Sequence, residues 1–238
     1  MEFIVYLIKV NIAIALFYCV YRLLFQKDTF FQWKRIALLT IIFISFAYPA
    51  TDLTRQIIAN NQIKDVFEIV YIPVYTLPEV EVTIDGNTQF NYYPQVILAI
   101  YFLVFGLLLF RMLFQIGTII LKLCRTTKKI IYGYTIYESP GLKTPFSFFR
   151  WIVLDSSLYS ETELKEILMH ETTHAAQSHS ADTMIAELMC IFCWFNPFAW
   201  LLKTETRMNL EFLADRTVLS SGYRSRTLPV PSLAFILS

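Results

Sequence analysis

Long apolar runs separated by short polar ones fill the first half of the chain. Residues 3 to 25 are apolar apart from Lys9 and Asn11, with Arg22 near the end. A helix rising about 1.5 Å per residue needs about 20 residues to cross a hydrocarbon layer of about 30 Å. This run predicts a first transmembrane helix. It does not read as a cleavable signal peptide, because its start is not basic and no small-x-small site follows. Lys9 and Asn11 are costly against lipid and are expected to face protein or reach towards the interface. After a turn at Gln26-Lys27-Asp28, Ile36 to Ala50 is apolar again and extends back through Phe30, Phe31 and Trp33, which predicts a second helix at about 33–50. Val96 to Phe110 is uninterrupted and runs on past Arg111 to Leu121, a third helix at about 94–121. A buried soluble helix explains one such run poorly and three in one short chain worse.

The pattern changes between and after these runs. Residues 51–93 are polar, alternate at Val80-Glu81-Val82-Thr83-Ile84 and carry a turn signal at Asp85-Gly86-Asn87, as expected of a loop or small β element outside the membrane. Strand signals return from Lys129 to Tyr137 and from Phe149 to Leu154, with a Ser-Pro-Gly turn at 139–141. Ser160, followed three residues later by Glu163, is a capping box that starts a helix at about Glu161. Met184 to Leu202 is apolar but for Glu187, and Asn196-Pro197 interrupts it; proline removes an N–H and disfavours helix at the residue before it.

Composition agrees with a membrane class. Of 238 residues 56% are hydrophobic and 16% charged, against about 45–50% and 25% in soluble proteins. The formal net charge is +1, and no basic helix points to nucleic acid. Charge sets the orientation. Arg22, Lys27, Lys34 and Arg35 stand against Asp28 in the first connection, whereas 51–93 holds Arg55 and Lys64 against six acids. Lys122, Arg125, Lys128 and Lys129 follow the third helix. The Lys and Arg bias puts the first connection and the segment after 121 inside, the N-terminus and 51–93 outside. Cys19, Cys124, Cys190 and Cys193 form no spaced disulfide framework, and the Cys190-x-x-Cys193 pair inside an apolar helix reads as packing rather than redox chemistry.

The chemistry lies in His170-Glu171-Thr172-Thr173-His174. On a helix His170 and His174 leave one face and can share one metal ion, with Glu171 beside it as a general base. Downstream, Glu211 and Asp215 are again four apart. Two His and one Glu make the ligand set of a catalytic zinc site, and Asp215 can accept the free N–H of a ligating His. A three-histidine set fits poorly, since Gln177 and Ser180 stand where it requires Gly and His. His179 misses by one residue and reads as a helix-face or loop histidine, with an outer role at the metal as the lesser alternative.

The same His-Glu-x-x-His, Trp194-Phe195-Asn196-Pro197-Phe198-Ala199-Trp200, Glu211-Phe212-Leu213-Ala214-Asp215 and Thr144-Pro145-Phe146-Ser147-Phe148 together resemble the BlaR/MecR-type membrane metallopeptidases, gluzincin-like signal transducers of bacteria. The resemblance covers roughly residues 1 to 220. It implies one Zn2+ per chain held by His170, His174 and Glu211, with Glu171 as base and Asp215 behind the ligands. The fold class it implies is mainly α and integral to the membrane: three N-terminal transmembrane helices, then a small α+β gluzincin-like zinc peptidase domain containing a Pro-broken hydrophobic helix. The expected divisions are a transmembrane region at 1–121, a cytoplasm-facing metallopeptidase domain at 122–220 and a tail at 221–238.

The expected function is a zinc-dependent endopeptidase of the bacterial cytoplasmic membrane that acts in signalling. It would cut a cytoplasmic, repressor-like protein or itself, with lipid as its other contact, no direct nucleic acid, and a homodimer as an expected assembly. The rivals are a non-catalytic signal-coupling scaffold and a membrane quality-control protease. The chain is expected to be a fragment, or a relative with another stimulus, without the sensor domain that beta-lactam receptors of the family carry, so drug sensing is not carried over. One conflict remains in the pattern: if Met184–Leu202 crossed the membrane, Glu211 would lie opposite the two histidines. A bent or re-entrant helix pair packed on the other helices is expected instead, with Glu187 facing protein. The strand ahead of the metal helix is expected to hold extended substrate by its edge.

Overall fold

The computed structural model describes residues 2–25, 29–51 and 92–220. The expected outer segment 51–93, but for its ends, and the tail 221–238 lie outside the described residues. Three long helices, α1 (Glu2–Phe25), α2 (Phe31–Ala50) and α3 (Tyr93–Cys124), are each long and apolar enough to cross a membrane. Leu16, Leu23, Phe43, Leu103, Phe110 and Phe114 are exposed on them, a surface suited to lipid rather than water. Asn11 turns inward and receives a hydrogen bond from Asn196 at its backbone oxygen, while Lys9 lies on the exposed side.

A four-stranded sheet follows α3. Its strands are β1 (Thr127–Ile131), β2 (Tyr134–Glu138), β3 (Phe146–Phe148) and β4 (Trp151–Leu154), in the order β1-β2-β4-β3. β1–β2 and β3–β4 are antiparallel and β2–β4 parallel. The run from Lys129 to Tyr137, continuous by its strand signals, is folded into a hairpin. Tyr132 and Gly133 both take positive φ, 50° and 82°, the geometry a two-residue hairpin turn demands. The sheet packs on α4 (Glu161–Ala176) through Ile136, Ile152 and Leu154 against Leu164, Ile167 and Leu168. Ile119 and Leu123 of α3 pack with Phe146, Phe148 and Val153.

The capping box opens α4 as its sequence predicts. The Ser160 N–H donates to Glu163 Oε2 at 3.1 Å and the Glu163 N–H to Ser160 Oγ at 3.4 Å. Two further helices complete the fold, α5 (His179–Phe192) and α6 (Pro197–Ser220). Between them the chain reverses. Asn196 Oδ1 accepts the Phe198 N–H at 3.0 Å, and Pro197 takes the first helical position, where its missing N–H is not needed. The apolar run 184–202 is therefore two legs of a hairpin, not a fourth span. Ala186, Met189, Cys190, Cys193, Ala199 and Leu202 of that hairpin share a core with Val10 and Ile14 of α1 and with Leu38 and Ile42 of α2. Cys190 and Cys193 are free and buried in this core, which is the packing role.

Polar contacts fix which helix ends meet the second half. Arg22, near the end of α1, pairs with Glu205 of α6. Arg35, near the start of α2, donates to Asp182 Oδ2 at 2.6 Å and to the Gln177 carbonyl at 2.7 Å. With the end of α3 against the sheet, these three ends meet the sheet, the turn between α4 and α5, and α6, while the α5–α6 hairpin runs back among the long helices.

Candidate metal centre

Helix α4 presents His170 and His174 one turn apart, and α6 returns to lay Glu211 against them. His170 Nε2 and His174 Nε2 are 3.1 Å apart; Glu211 Oε2 is 3.6 Å from the first and 3.8 Å from the second. In a tetrahedral site with bonds of about 2.0–2.2 Å, ligand atoms stand about 3.3–3.6 Å apart. The three donors thus fit one small cation. Glu211 Oε2 is buried and has no hydrogen-bond partner among the described residues, a costly state for a carboxylate oxygen unless something else meets it.

Electrostatics agree with this donor set. Burial works against a charge on His170, but Glu211, Glu171 and Asp215 outweigh it and raise its pKa. Burial likewise works against the Glu211 carboxylate, and the two imidazoles hold it well below the usual carboxylate range. Glu211 is therefore ionised at neutral pH, as a metal ligand must be.

Both imidazoles are held from behind. His170 Nδ1 lies 3.2 Å from Asp215 Oδ1, the contact the spacing of Glu211 and Asp215 predicts. His174 Nδ1 lies 2.7 Å from His179 Nδ1, whose Nε2 is 3.2 Å from Gln177 Oε1. One assignment satisfies all these contacts: His174 donates through Nδ1–H to His179, and His179 donates through Nε2–H to Gln177. Both Nε2 lone pairs of the α4 histidines then face Glu211. Burial, with His174 and Arg35 nearby, pushes the pKa of His179 down to about 3, so it is neutral and able to accept. Its approach depends on Ser178, whose left-handed backbone (φ 55°, ψ 37°) folds α5 back on α4. The sequence offered only proximity to His174 as a signal.

Glu171 is 8% exposed and lines one cleft with Ser147, His174, Arg207 and Glu211. β4, the strand just ahead of the metal helix, pairs with β2 on one side and β3 on the other and so offers no edge to a substrate, against the expectation from the sequence; the end strand is β3, whose Phe146 and Ser147 form part of the same cleft. All five residues singled out by spacing therefore meet at one place. Arg207 was not singled out; its signal was its position one turn before Glu211 on the same helix. Glu187 faces protein, as expected, with Lys203 Nζ at 2.5 Å.

Comparison with known proteins agrees with this architecture. The family model described as BlaR1 peptidase M56 matches residues 1–228, and the chain belongs to that family. The regulatory protein BlaR1 of Bacillus licheniformis is 31% identical over 103 residues, which make up 41% of this chain and 17% of that protein. The chain thus spans well under two thirds of the length of this curated relative. A membrane protein with a metallopeptidase domain of the BlaR type is established by these matches together with the apolar helices.

Proposed function

We propose that this member of the BlaR1 peptidase M56 family is a zinc-dependent endopeptidase acting in transmembrane signalling. His170, His174 and Glu211 would hold one zinc per chain, with Asp215 orienting His170 and His179 orienting His174. The observation that carries this reading is the buried, unpartnered Glu211 oxygen facing two imidazole nitrogens at 3.6 and 3.8 Å. A bound zinc would supply Lewis acidity, polarising a carbonyl and bringing the pKa of an attached water to about 7. Glu171 takes the proton of the attacking water and returns it to the leaving amine nitrogen. The free edge of β3 receives extended substrate beside Glu171.

The substrate class that fits is a cytoplasmic, repressor-like regulator or a second copy of the chain itself, cut at a site facing the cytoplasm of a bacterial inner membrane, with the N-terminus outside. A homodimer suits the self-cleaving arm. The Lys and Arg bias of the connections supports this orientation.

Zinc per chain in detergent-solubilised protein tests the ligand set. Wild type is expected to hold about one, Glu211→Ala to lose it, and Glu171→Gln to keep it while cleavage falls about 10²–10⁴-fold. New protein N-termini in cells carrying wild type but not Glu171→Gln identify the substrate. A folded wild type without zinc sinks the reading and leaves a scaffold. New termini confined to damaged membrane proteins replace signalling by quality control.

A further inference from the structure

The two ends of the sheet differ in kind. β2 and β4 run parallel, with Ile136 beside Ile152, so both hairpin turns, Tyr132-Gly133 and Phe149-Arg150, lie at one end. That end carries exposed apolar side chains: Ile130 is 72% exposed, Tyr132 47%, Phe149 37% and Trp151 38%. Arg150 is exposed at the apex, and Lys165 of α4 reaches over the Tyr132 ring, 4.7 Å from its centre. The opposite end, with Thr127, Glu138, Lys143 and Asp155, is polar. Phe149 stands out further. Its φ is 50°, a conformation that glycine takes freely and a bulky side chain avoids. A large side chain kept at such a position points to a use for that side chain.

Contacts put this end at the level of a membrane boundary. The 20 residues of α2 are about the number needed to cross a hydrocarbon layer of about 30 Å, so the start of α2 marks one boundary. Exposed Phe30 and Trp33 stand there beside Lys34, and aromatic and basic side chains are the ones that favour the headgroup level. The next residue, Arg35, donates to Asp182 in the first turn of α5. Ser180 of the same turn accepts the Phe149 N–H at 2.9 Å. The turn at 149–150 is thus tied to the α2 boundary through one turn of helix. From the other side, Phe148 lines a crevice with Met112 and Ile116 of α3, where the neighbouring Leu113 and Phe114 are exposed. We propose that this end of the sheet is a foot seated in the phospholipid interface on the side of the metal centre. The rings of Tyr132, Phe149 and Trp151 lie at the boundary of headgroups and acyl chains, and Arg150 and Lys165 meet lipid phosphates. Guanidinium and ammonium donors suit phosphate oxygens, and the rings lose water at a boundary continuous with the apolar surfaces of α2 and α3. β3, whose Phe146 and Ser147 line the metal cleft, then runs up to the bilayer surface.

The test uses the full chain in phospholipid nanodiscs, with Cys19→Ser and Cys124→Ser removing the exposed thiols and Cys190 and Cys193 left buried. A bimane fluorophore is attached at Arg150→Cys in the foot or at Lys143→Cys at the opposite end. The quenchers are a phospholipid with a nitroxide high on its acyl chain and, separately, aqueous iodide. The Arg150→Cys reporter is expected to be quenched about twofold or more by the lipid nitroxide, as a group about 5–10 Å into the interface would be, and to be spared by iodide. The Lys143→Cys reporter is expected to show the reverse. Adding Phe149→Gly, which removes the ring and relieves the φ, should leave the melting temperature in detergent unchanged and abolish most of the lipid quenching at Arg150→Cys. An Arg150→Cys reporter open to iodide and untouched by the lipid nitroxide overturns the inference. Shielding from both quenchers, with a dimer on sedimentation, gives the surface to a second copy of the chain and overturns it too. Lipid quenching unchanged by Phe149→Gly, with a lowered melting temperature, makes the ring a packing residue and removes the foot.

Discussion

Helices α2 and α3 are both long and apolar, and both have an end on the side of the metal centre, but they reach it by different means. Near its start α2 carries Arg35, which donates to Asp182 and to the Gln177 carbonyl in the turn behind His174. Near its end α3 offers Ile119 and Leu123, which fit among Phe146, Phe148 and Val153 of the sheet. Hydrogen bonds are directional and break over a fraction of an ångström, whereas apolar contact is non-directional and tolerates sliding. The orientation of the His174 ring is thus tied to α2, while α3 bears on the strand that edges the cleft. A perturbation of one helix should be felt at the metal-ligating histidines, and of the other at the cleft beside β3.

The widest test of this contrast is Arg35→Met. It leaves the buried carboxylate of Asp182 unpaired, which costs about 3–5 kcal/mol, and it frees the turn behind His174. A lowered melting temperature is expected together with weaker zinc binding. Ile119→Ala should cost about 2–4 kcal/mol as a core truncation yet leave zinc affinity within threefold. Equal loss of zinc affinity in the two variants would erase the distinction. His179→Phe sharpens it: with the acceptor for His174 Nδ1–H gone and the ring volume kept, zinc affinity should fall about 10–100-fold. Smallest is an effect on the sheet side. Asp155, between β4 and α4, accepts from the Ser157 hydroxyl and from the Gly141 and Ser157 N–H groups, and these bonds, the Ser157 side chain first, lower its pKa. A depressed carboxylate stabilises the fold above its unfolded value of about 3.9 and loses that contribution as pH falls through the folded value. Melting of the wild type should therefore weaken on acidification below about pH 4, and Asp155→Asn should flatten that part of the curve.

What the sequence disclosed depended on how local each signal was. The three apolar helices, the capping box at Ser160 and Glu163, and the break at Asn196-Pro197 are consequences of neighbouring residues, and each stands where its pattern puts it. The pairs His170/His174 and Glu211/Asp215 were legible because helical spacing guarantees a shared face. That the two pairs meet required the reversal at Cys193–Asn196, which an apolar run alone does not reveal but which the ligand chemistry demands. The hairpin at Tyr132-Gly133 was hidden because apolar residues continue through the turn; only a positive φ at both positions marks it. His179 was legible only as the lesser alternative for a different reason: it reaches His174 through a left-handed serine, which residue spacing does not show.

The left-handed Ser178 has a consequence for how the centre stays assembled. A side chain with a Cβ avoids this conformation by roughly 1–2 kcal/mol, so the turn between α4 and α5 is a loaded spring whose catch is Arg35, gripping Gln177 and Asp182 on either side of it. Packed helices shift against one another by about 1–2 Å in switching proteins, more slack than bonds of 2.6 and 2.7 Å possess. Lateral motion of α2 within the lipid layer must then either carry the turn along or let it go. The position of α2 is in this way one of the terms that set the shape of the turn behind His174.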